Sequence, residues 1–340
     1  MADRVYVTGG TGFVGGALVR RLVERGDEVV ALARSAEGAR QLAAAGARPA
    51  RGDVLDEAAL AAGMAGCRVA YHVAGVNKLC PPDPAQLWRV NVDGARSAAR
   101  AAARAGVARL VHTSSAATLG EVKGTVGRED SPHRGTYLST YEETKVHGER
   151  AVLAVAAETG LEVVCLNPTS VQGPGRTGGT GRILLAMLDG RLKVFIETRI
   201  SIVDIADCVT AHVLAAERGR PGERYVLSGV TLTTAEAFAV VEEVSGRPFR
   251  PRVVPDAAAW AAGGLAEAAG RLLRRRPPLC REMVRTLLHG HAYDGSRAER
   301  ELGLAYTPVQ ETLRRTLEWA AGEGLIRPAA APAAARAAPG

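Results

Sequence analysis

Tyr141 and Lys145 lie four residues apart in a segment patterned as a helix, so both side chains fall on one face. A phenol with an ordinary pKa of ~10 is a poor proton donor or acceptor near neutral pH. A nearby ammonium favours the phenolate, lowers that pKa and suits the tyrosine to proton transfer at a carbonyl oxygen. The spacing alone is commonplace on helix surfaces. In this chain, however, the 43 basic residues include only four lysines, Lys78, Lys123, Lys145 and Lys193, beside seven tyrosines. Arginine serves wherever charge alone suffices, so a lysine at this spacing from a tyrosine points to a chemical need. Thr113-Ser114-Ser115 ends an apolar run that starts at Arg109. Hydroxyls at the carboxyl end of a parallel strand sit where such sheets bind ligands. Ser115 is therefore expected to hydrogen-bond the reacting oxygen beside Tyr141, and Thr113 to bond its own backbone at the strand end.

A second constellation opens the chain. Thr8-Gly9-Gly10-Thr11-Gly12-Phe13-Val14-Gly15 follows an apolar run and begins a helical pattern. Such a turn lets backbone N–H groups approach a pyrophosphate at the positive end of a helix. The residue closing the second strand then selects the cofactor. An Asp or Glu there would hold a ribose 2′-hydroxyl, but this chain has Ala33-Arg34, with Arg40 further on. A guanidinium suits a 2′-phosphate. NADP(H) is expected rather than NAD(H), with Arg34 as the main contact. Asp53-Val54 either meets the adenine or, through Asp53, caps the helix at 57–62.

These residues need a scaffold at a sheet's carboxyl edge. Runs at 4–7, 28–33, 68–73, 109–112 and 162–166 are continuously apolar, as in strands covered on both faces. Helical patterns at 16–25, 84–105 and 141–159 alternate with them, which predicts a doubly wound parallel α/β sheet. Beyond Asn167 the pattern loosens. Residues 171–181 read as a Gly/Thr-rich loop, followed by a helix (183–188), a strand (199–203), a helix (207–217) and a strand (224–227). The last third is helical, with Pro-bearing breaks at 246–255 and 277–278. The expected division is a nucleotide-binding domain over 1–175, with elements of about 199–230 returning to it. A smaller, mainly helical substrate lobe follows over 176–327, then a disordered Ala/Pro tail at 328–340.

Composition removes other classes. The chain has 340 residues, 47% hydrophobic and 23% charged, with a mean hydropathy of zero, ordinary for a globular protein. The net charge of +7 is spread as single arginines, densest at Arg274-Arg275-Arg276, and aromatics are 4%. A nucleic-acid binder would gather its charge in a stripe interleaved with aromatics, so no nucleic-acid partner is expected. The five cysteines are odd in number, dispersed and without a C-x-x-C pair. They are read as reduced cytoplasmic thiols rather than a disulfide framework or zinc site. The N-terminus lacks a signal-peptide core. Glycines and Glu267 interrupt the Ala-rich stretch 257–273, so no membrane span is expected. His289 and His291, with no carboxylate nearby in sequence, are read as surface histidines, and no metal is expected. His72 reads as a satisfied core residue. The loop 76–84, which holds Lys78 and Cys80, is either a pocket wall or a rigid surface loop.

Taken together the motifs resemble the extended short-chain dehydrogenase/reductases, the NAD-dependent epimerase/dehydratase family. They are TGGTGFVG at 8–15, GDVLD at 52–56, YHVAG at 71–75, NVDG at 91–94, TSSAATLG at 113–120, YEETK at 141–145, NPTSVQGPG at 167–175, VDIADC at 203–208 and RAERELG at 297–303. The resemblance implies a Rossmann-type fold, with Ser115, Tyr141 and Lys145 as the catalytic triad. It implies Gly9, Gly12 and Gly15, with Thr11, Phe13 and Val14, as the phosphate turn. Asp53 and Val54 would face the adenine, and Ala74 and Gly75 would line the cofactor. Pro168 and Thr169 would border the nicotinamide, with Thr113, Tyr141 and Lys145 beside its ribose. Asn91 matches a helix asparagine of structural or proton-relay role. Substrate contacts would come from Lys78, Ser115, Thr118, Asn167 and Ser170.

Arg34 and the TSSAATLG strand end look like the branch of dihydroflavonol reductases, hydroxysteroid dehydrogenases and hopanoid-associated epimerases. The implied activity is NADP(H)-dependent interconversion of a ketone or aldehyde and an alcohol on a small or medium-sized metabolite. The alternatives are a nucleotide-sugar epimerase or dehydratase that recycles its cofactor, and a non-catalytic NADP(H) sensor. A homodimer through the helices at 84–105 and 141–159 is implied by resemblance alone.

Overall fold

The structure, a computed structural model, describes residues 3–273 and 279–327. The expected tail at 328–340, the Pro277-Pro278 break and the Arg274–Arg276 run lie outside the described residues. The chain begins β1 (Arg4–Thr8), α1 (Phe13–Glu24), β2 (Glu28–Ala33), α2 (Ala36–Ala44), β3 (Arg48–Arg51), α3 (Glu57–Met64) and β4 (Val69–His72). It continues with α4 (Pro84–Trp88), a π-helical turn at Arg89–Asp93, α5 (Gly94–Arg104), β5 (Arg109–Thr113), a 3₁₀ turn at Ala116–Leu119, α6 (Thr140–Thr159) and β6 (Glu162–Pro168). The π turn interrupts the single helix expected over 84–105, and Asn91 sits in it.

Next come β7 (Ser170–Gln172), α7 (Thr180–Leu188), β8 (Val194–Ile196), β9 (Arg199–Asp204), α8 (Ile205–Arg218) and β10 (Arg224–Leu227). The chain ends β11 (Val230–Thr233), α9 (Thr234–Ser245), β12 (Arg252–Val254), α10 (Asp256–Leu272), α11 (Arg281–His289), α12 (Ser296–Leu302) and α13 (Val309–Gly322). The stretch expected as a loop at 171–181 thus contains most of β7 and the start of α7.

Seven strands form one sheet in the order β10-β6-β5-β4-β1-β2-β3, parallel throughout. Chain order reverses between β1 and β4, and the crevice outside the carboxyl ends at such a switch point is where these sheets bind ligands. Both faces are covered. Leu18, Val19 and Leu22 of α1 and Cys208 and Val209 of α8 seal one face. Leu60 and Met64 of α3, the alanines of α5 and Val152 of α6 seal the other. A third core joins Leu184 and Leu188 of α7 to Val241 of α9 and Leu313 and Leu317 of α13. It packs on a small sheet of order β11-β9-β7.

Helix α6 carries both Tyr141 and Lys145. Ser139 caps it by accepting the Glu142 N–H, and Gly160 ends it in the left-handed conformation.

Candidate active site

The glycine turn is packed too tightly for other residues. Gly9 has φ +73°, and a Cβ there would lie 2.7 Å from the Ala74 nitrogen. A Cβ on Gly15 would lie 2.1 Å from the Gly9 carbonyl oxygen. Thr8 Oγ1 accepts the Val73 and Ala74 N–H groups, each at 3.2 Å, pinning the turn to the end of β4. Thr11, Gly12, Phe13 and Val14 line a cavity of about 1140 Å³, opposite Ala74 and Gly75. Arg34, Asp53 and Val54 line the same cavity at the carboxyl ends of β2 and β3. A nucleotide cofactor fits this set, because side-chain-free backbone faces the opening at the α1 N-terminus and no acid closes β2. Of the two readings of Asp53, the capping one fails: Asp56 caps α3 through the Ala59 N–H. Asp53 Oδ1 accepts the Leu55 N–H at 3.0 Å in the turn between. Ser35 and Gly38 also line the cavity and escaped the sequence reading, though a serine before a helical run is a capping signal.

Ser115, Tyr141 and Lys145 come together on one wall of this cavity, with Thr113, Pro168 and Thr169. Burial pushes the Tyr141 phenol upward, and a hydrogen bond with Ser115 and the positive charge of Arg176 pull it back. The expected agent was Lys145. Its Nζ instead donates to the Thr113 carbonyl oxygen at 2.9 Å. Burial lowers its pKa to about 8, partly offset by the charge of Glu149. Thr113 also departs from expectation: its hydroxyl meets His212 Nε2 at 2.8 Å, across to α8, rather than its own backbone. Asn91 ties the loop after β4 to α6, donating to the Val76 carbonyl and Thr144 and accepting the Val76 N–H at 2.7 Å.

Lys78 and Ser170 line the cavity, but two other expected substrate contacts do not. Asn167 is fully buried and Thr118 nearly so. Asn167 Nδ2 donates to Thr118 Oγ1, Glu149 Oε2 and the Ser115 carbonyl, and Arg224 pairs with Glu149 at 2.9 Å. The Thr118 hydroxyl and the Asn167 amide nitrogen are used in holding the turn behind Ser115, while Asn167 Oδ1 is buried with no partner among the described residues. The loop at 76–84 does contribute wall, through Val76, Asn77, Lys78 and Leu79.

Arg176, a cavity residue absent from the sequence expectations, had one legible signal. No Asp or Glu occurs between Glu162 and Asp189, so this arginine has no acidic neighbour in the chain.

Two expectations are overturned. Cys80 and Cys280, 200 residues apart, form a disulfide, while Cys67, Cys165 and Cys208 are buried free thiols. Folding brings the wall loop against the start of α11, a proximity that spacing in sequence does not carry. His289 and His291 are not lone surface residues either. His291 Nδ1 lies 2.6 Å from Glu121 Oε1, and His289 Nε2 lies 3.5 Å from it. Glu121 is 2% exposed. His72 lies in the core as expected, its Nδ1 meeting Thr8 Oγ1 at 2.9 Å, but it is not fully satisfied, because its Nε2 is buried with no partner among the described residues.

Burial alone would raise the Glu121 carboxyl pKa, but hydrogen bonds with both histidines and the charge of His291 bring it from 4.5 to about 2. A depressed carboxyl pKa adds stability above the unfolded value and loses it as pH falls toward the folded one. The contribution should therefore disappear between about 4.5 and about 2. Glu121→Gln should cost about 3 kcal/mol near neutral pH and flatten the acid limb of stability. Denaturant unfolding across that window checks it, and an unchanged midpoint would refute it.

Among the described residues no helix is long and apolar enough to cross a membrane. The NAD dependent epimerase/dehydratase family model matches residues 5–228. Sterol demethylase protein B of Methylococcus capsulatus is 33% identical over 94% of this chain and 99% of its own length. A 2-alkyl-3-oxoalkanoate reductase of Stenotrophomonas maltophilia is 30% identical over 92% of this chain and 98% of its own. The crystal structure of gox2253 superposes with a TM-score of 0.81 at 30% identity, covering 96% of this chain and all of that one. The chain belongs to the NAD-dependent epimerase/dehydratase family and is an NAD(P)-dependent enzyme of the extended short-chain dehydrogenase/reductase type.

Proposed function

We propose that the protein is an NADP(H)-dependent oxidoreductase that interconverts a ketone or aldehyde and an alcohol on a largely apolar metabolite. The observation that carries this is one continuous cavity. It joins the glycine turn to Ser115, Tyr141 and Lys145 and then opens between Leu184, Met187, Phe195, Leu232 and Leu287. A chamber walled this way favours hydrocarbon over sugar, because burying apolar surface is its main source of affinity. Relatives named as a 2-alkyl-3-oxoalkanoate reductase and a sterol demethylase protein support the same class.

The cofactor, when bound, supplies or accepts the hydride. Tyr141 then holds the proton that moves to or from the substrate oxygen, a general acid–base role. Ser115, hydrogen-bonded with Tyr141, orients that oxygen. Lys145, anchored on the Thr113 carbonyl, would offer its ammonium as a hydrogen-bond donor to the nicotinamide ribose. The apolar walls exclude water from the reacting carbon.

Purified protein given NADPH and a panel of cyclic and long-chain ketones should consume NADPH in proportion to alcohol formed. Conversion of UDP-glucose to an epimer without net cofactor consumption, alongside inertness to every ketone, would overturn the proposal.

A further inference from the structure

Arg176 carries a charge that no described residue neutralises. Its guanidinium carbon sits 5.1 Å from the centre of the Phe13 ring, and none of the ion pairs among the described residues includes it. Its Nε is buried without an acceptor. The side chain is nevertheless held in place. A Cβ on Gly181 would lie 2.4 Å from Arg176 Cγ, and the Arg176 N–H donates to the Gly173 carbonyl at 3.3 Å. The residue lines the cavity between Phe13 of the glycine turn and Tyr141, whose phenol feels its charge.

A cation drawn partly out of water with an unfilled N–H is costly unless an acceptor arrives. A guanidinium presents paired N–H groups that match the two oxygens of a phosphate or carboxylate. We propose that Arg176 is an oxyanion-binding residue at the junction between the glycine turn and Tyr141. Two molecules bring that chemistry there: the cofactor, through its diphosphate, and the substrate, through a carboxylate near the reacting carbonyl. The inference rests on the reading that the nucleotide lies along the glycine turn.

The test compares wild type with Arg176→Met, which keeps the stem and removes the charge, and Arg176→Lys, which keeps the charge. Thermal midpoints of both variants should match wild type. Titrations use NADPH, adenosine 2′-monophosphate, and decanoate added to the NADP⁺-loaded protein. If the diphosphate is the ligand, Arg176→Met weakens NADPH about ten- to a hundredfold. Adenosine 2′-monophosphate, which has no diphosphate, then binds unchanged, and Arg176→Lys recovers part of the loss. If a substrate carboxylate is the ligand, NADPH affinity is unaltered and decanoate binding is lost in Arg176→Met. Arg176→Met matching wild type in every titration would overturn the proposal. A wild-type protein that binds no NADPH would instead overturn the underlying cofactor reading.

Discussion

Tyr141→Phe is expected to lower turnover by about a hundred- to ten-thousandfold, the usual contribution of a positioned proton-transfer group. NADPH affinity should stay within about twofold of wild type, since the substitution removes one oxygen and leaves the ring in its packing. Two features make the phenol hard to replace. It shares a hydrogen bond with Ser115, and the charged groups around it are fixed: Lys145 on the Thr113 carbonyl, Arg176 on the Phe13 ring. Water entering the space left by the hydroxyl would meet a chamber with Leu184, Met187 and Phe195 in its walls and would be poorly oriented to donate. Steady-state kinetics paired with a fluorescence titration of NADPH give both numbers. Full activity in the variant would remove Tyr141 from the chemistry, and lost NADPH binding would make it a cofactor residue only.

Arg34→Glu should invert the choice between cofactors. Arg34 is exposed at the end of β2 and lines the cavity beside Ser35, whose Oγ accepts the Gly38 N–H at 3.1 Å to start α2. A 2′-phosphate there would meet a guanidinium and a helix N-terminus together. Two other arginines lie on this edge, Arg40, engaged with Glu37 on the surface, and Arg51, beside Ala33 at the end of β3, but neither lines the cavity, so Arg34 is the expected main contact. A charge-assisted hydrogen bond contributes about 1.5–3 kcal/mol, so NADPH should bind about ten- to a hundredfold more weakly in the variant. NADH should be unaffected or gain, because the new carboxylate can accept from a ribose 2′-hydroxyl. Direct binding of both cofactors to both proteins is the measurement. A wild type that already prefers NADH would refute the expectation.

The sequence was most informative where the information is local. After an exposed first glutamate, strands Glu28–Ala33 and Glu162–Pro168 are buried on both faces, so Val29–Ala33 and Val163–Leu166 read as continuous apolar runs. Gly9 and Gly15 are legible as a turn because Gly9 takes φ +73° and a Cβ on Gly15 would meet the Gly9 carbonyl oxygen six residues back. β3 was harder to read. It is the edge strand Arg48–Arg51, mostly exposed, and charged edges of this kind carry no apolar run. The small sheet of β7, β9 and β11 was hidden for a different reason: β7 is a strand of three residues inside a Gly/Thr-rich stretch.

The amino-acid order by itself determined the parallel sheet, the glycine turn at 8–15 and the pairing of Tyr141 with Lys145 on one helix. Each of these follows from a backbone period or a steric limit acting over a few residues. Only the tertiary structure decided which groups meet across the fold. It set His212 against Thr113, two histidines of the C-terminal region against Glu121, Cys280 against Cys80 and Arg176 against Phe13. It also moved Asn167 and Thr118 from the pocket to the support behind it. Those meetings depend on where strands and helices land relative to one another, and residues separated by some fifty to two hundred positions carry no shared period that would announce them.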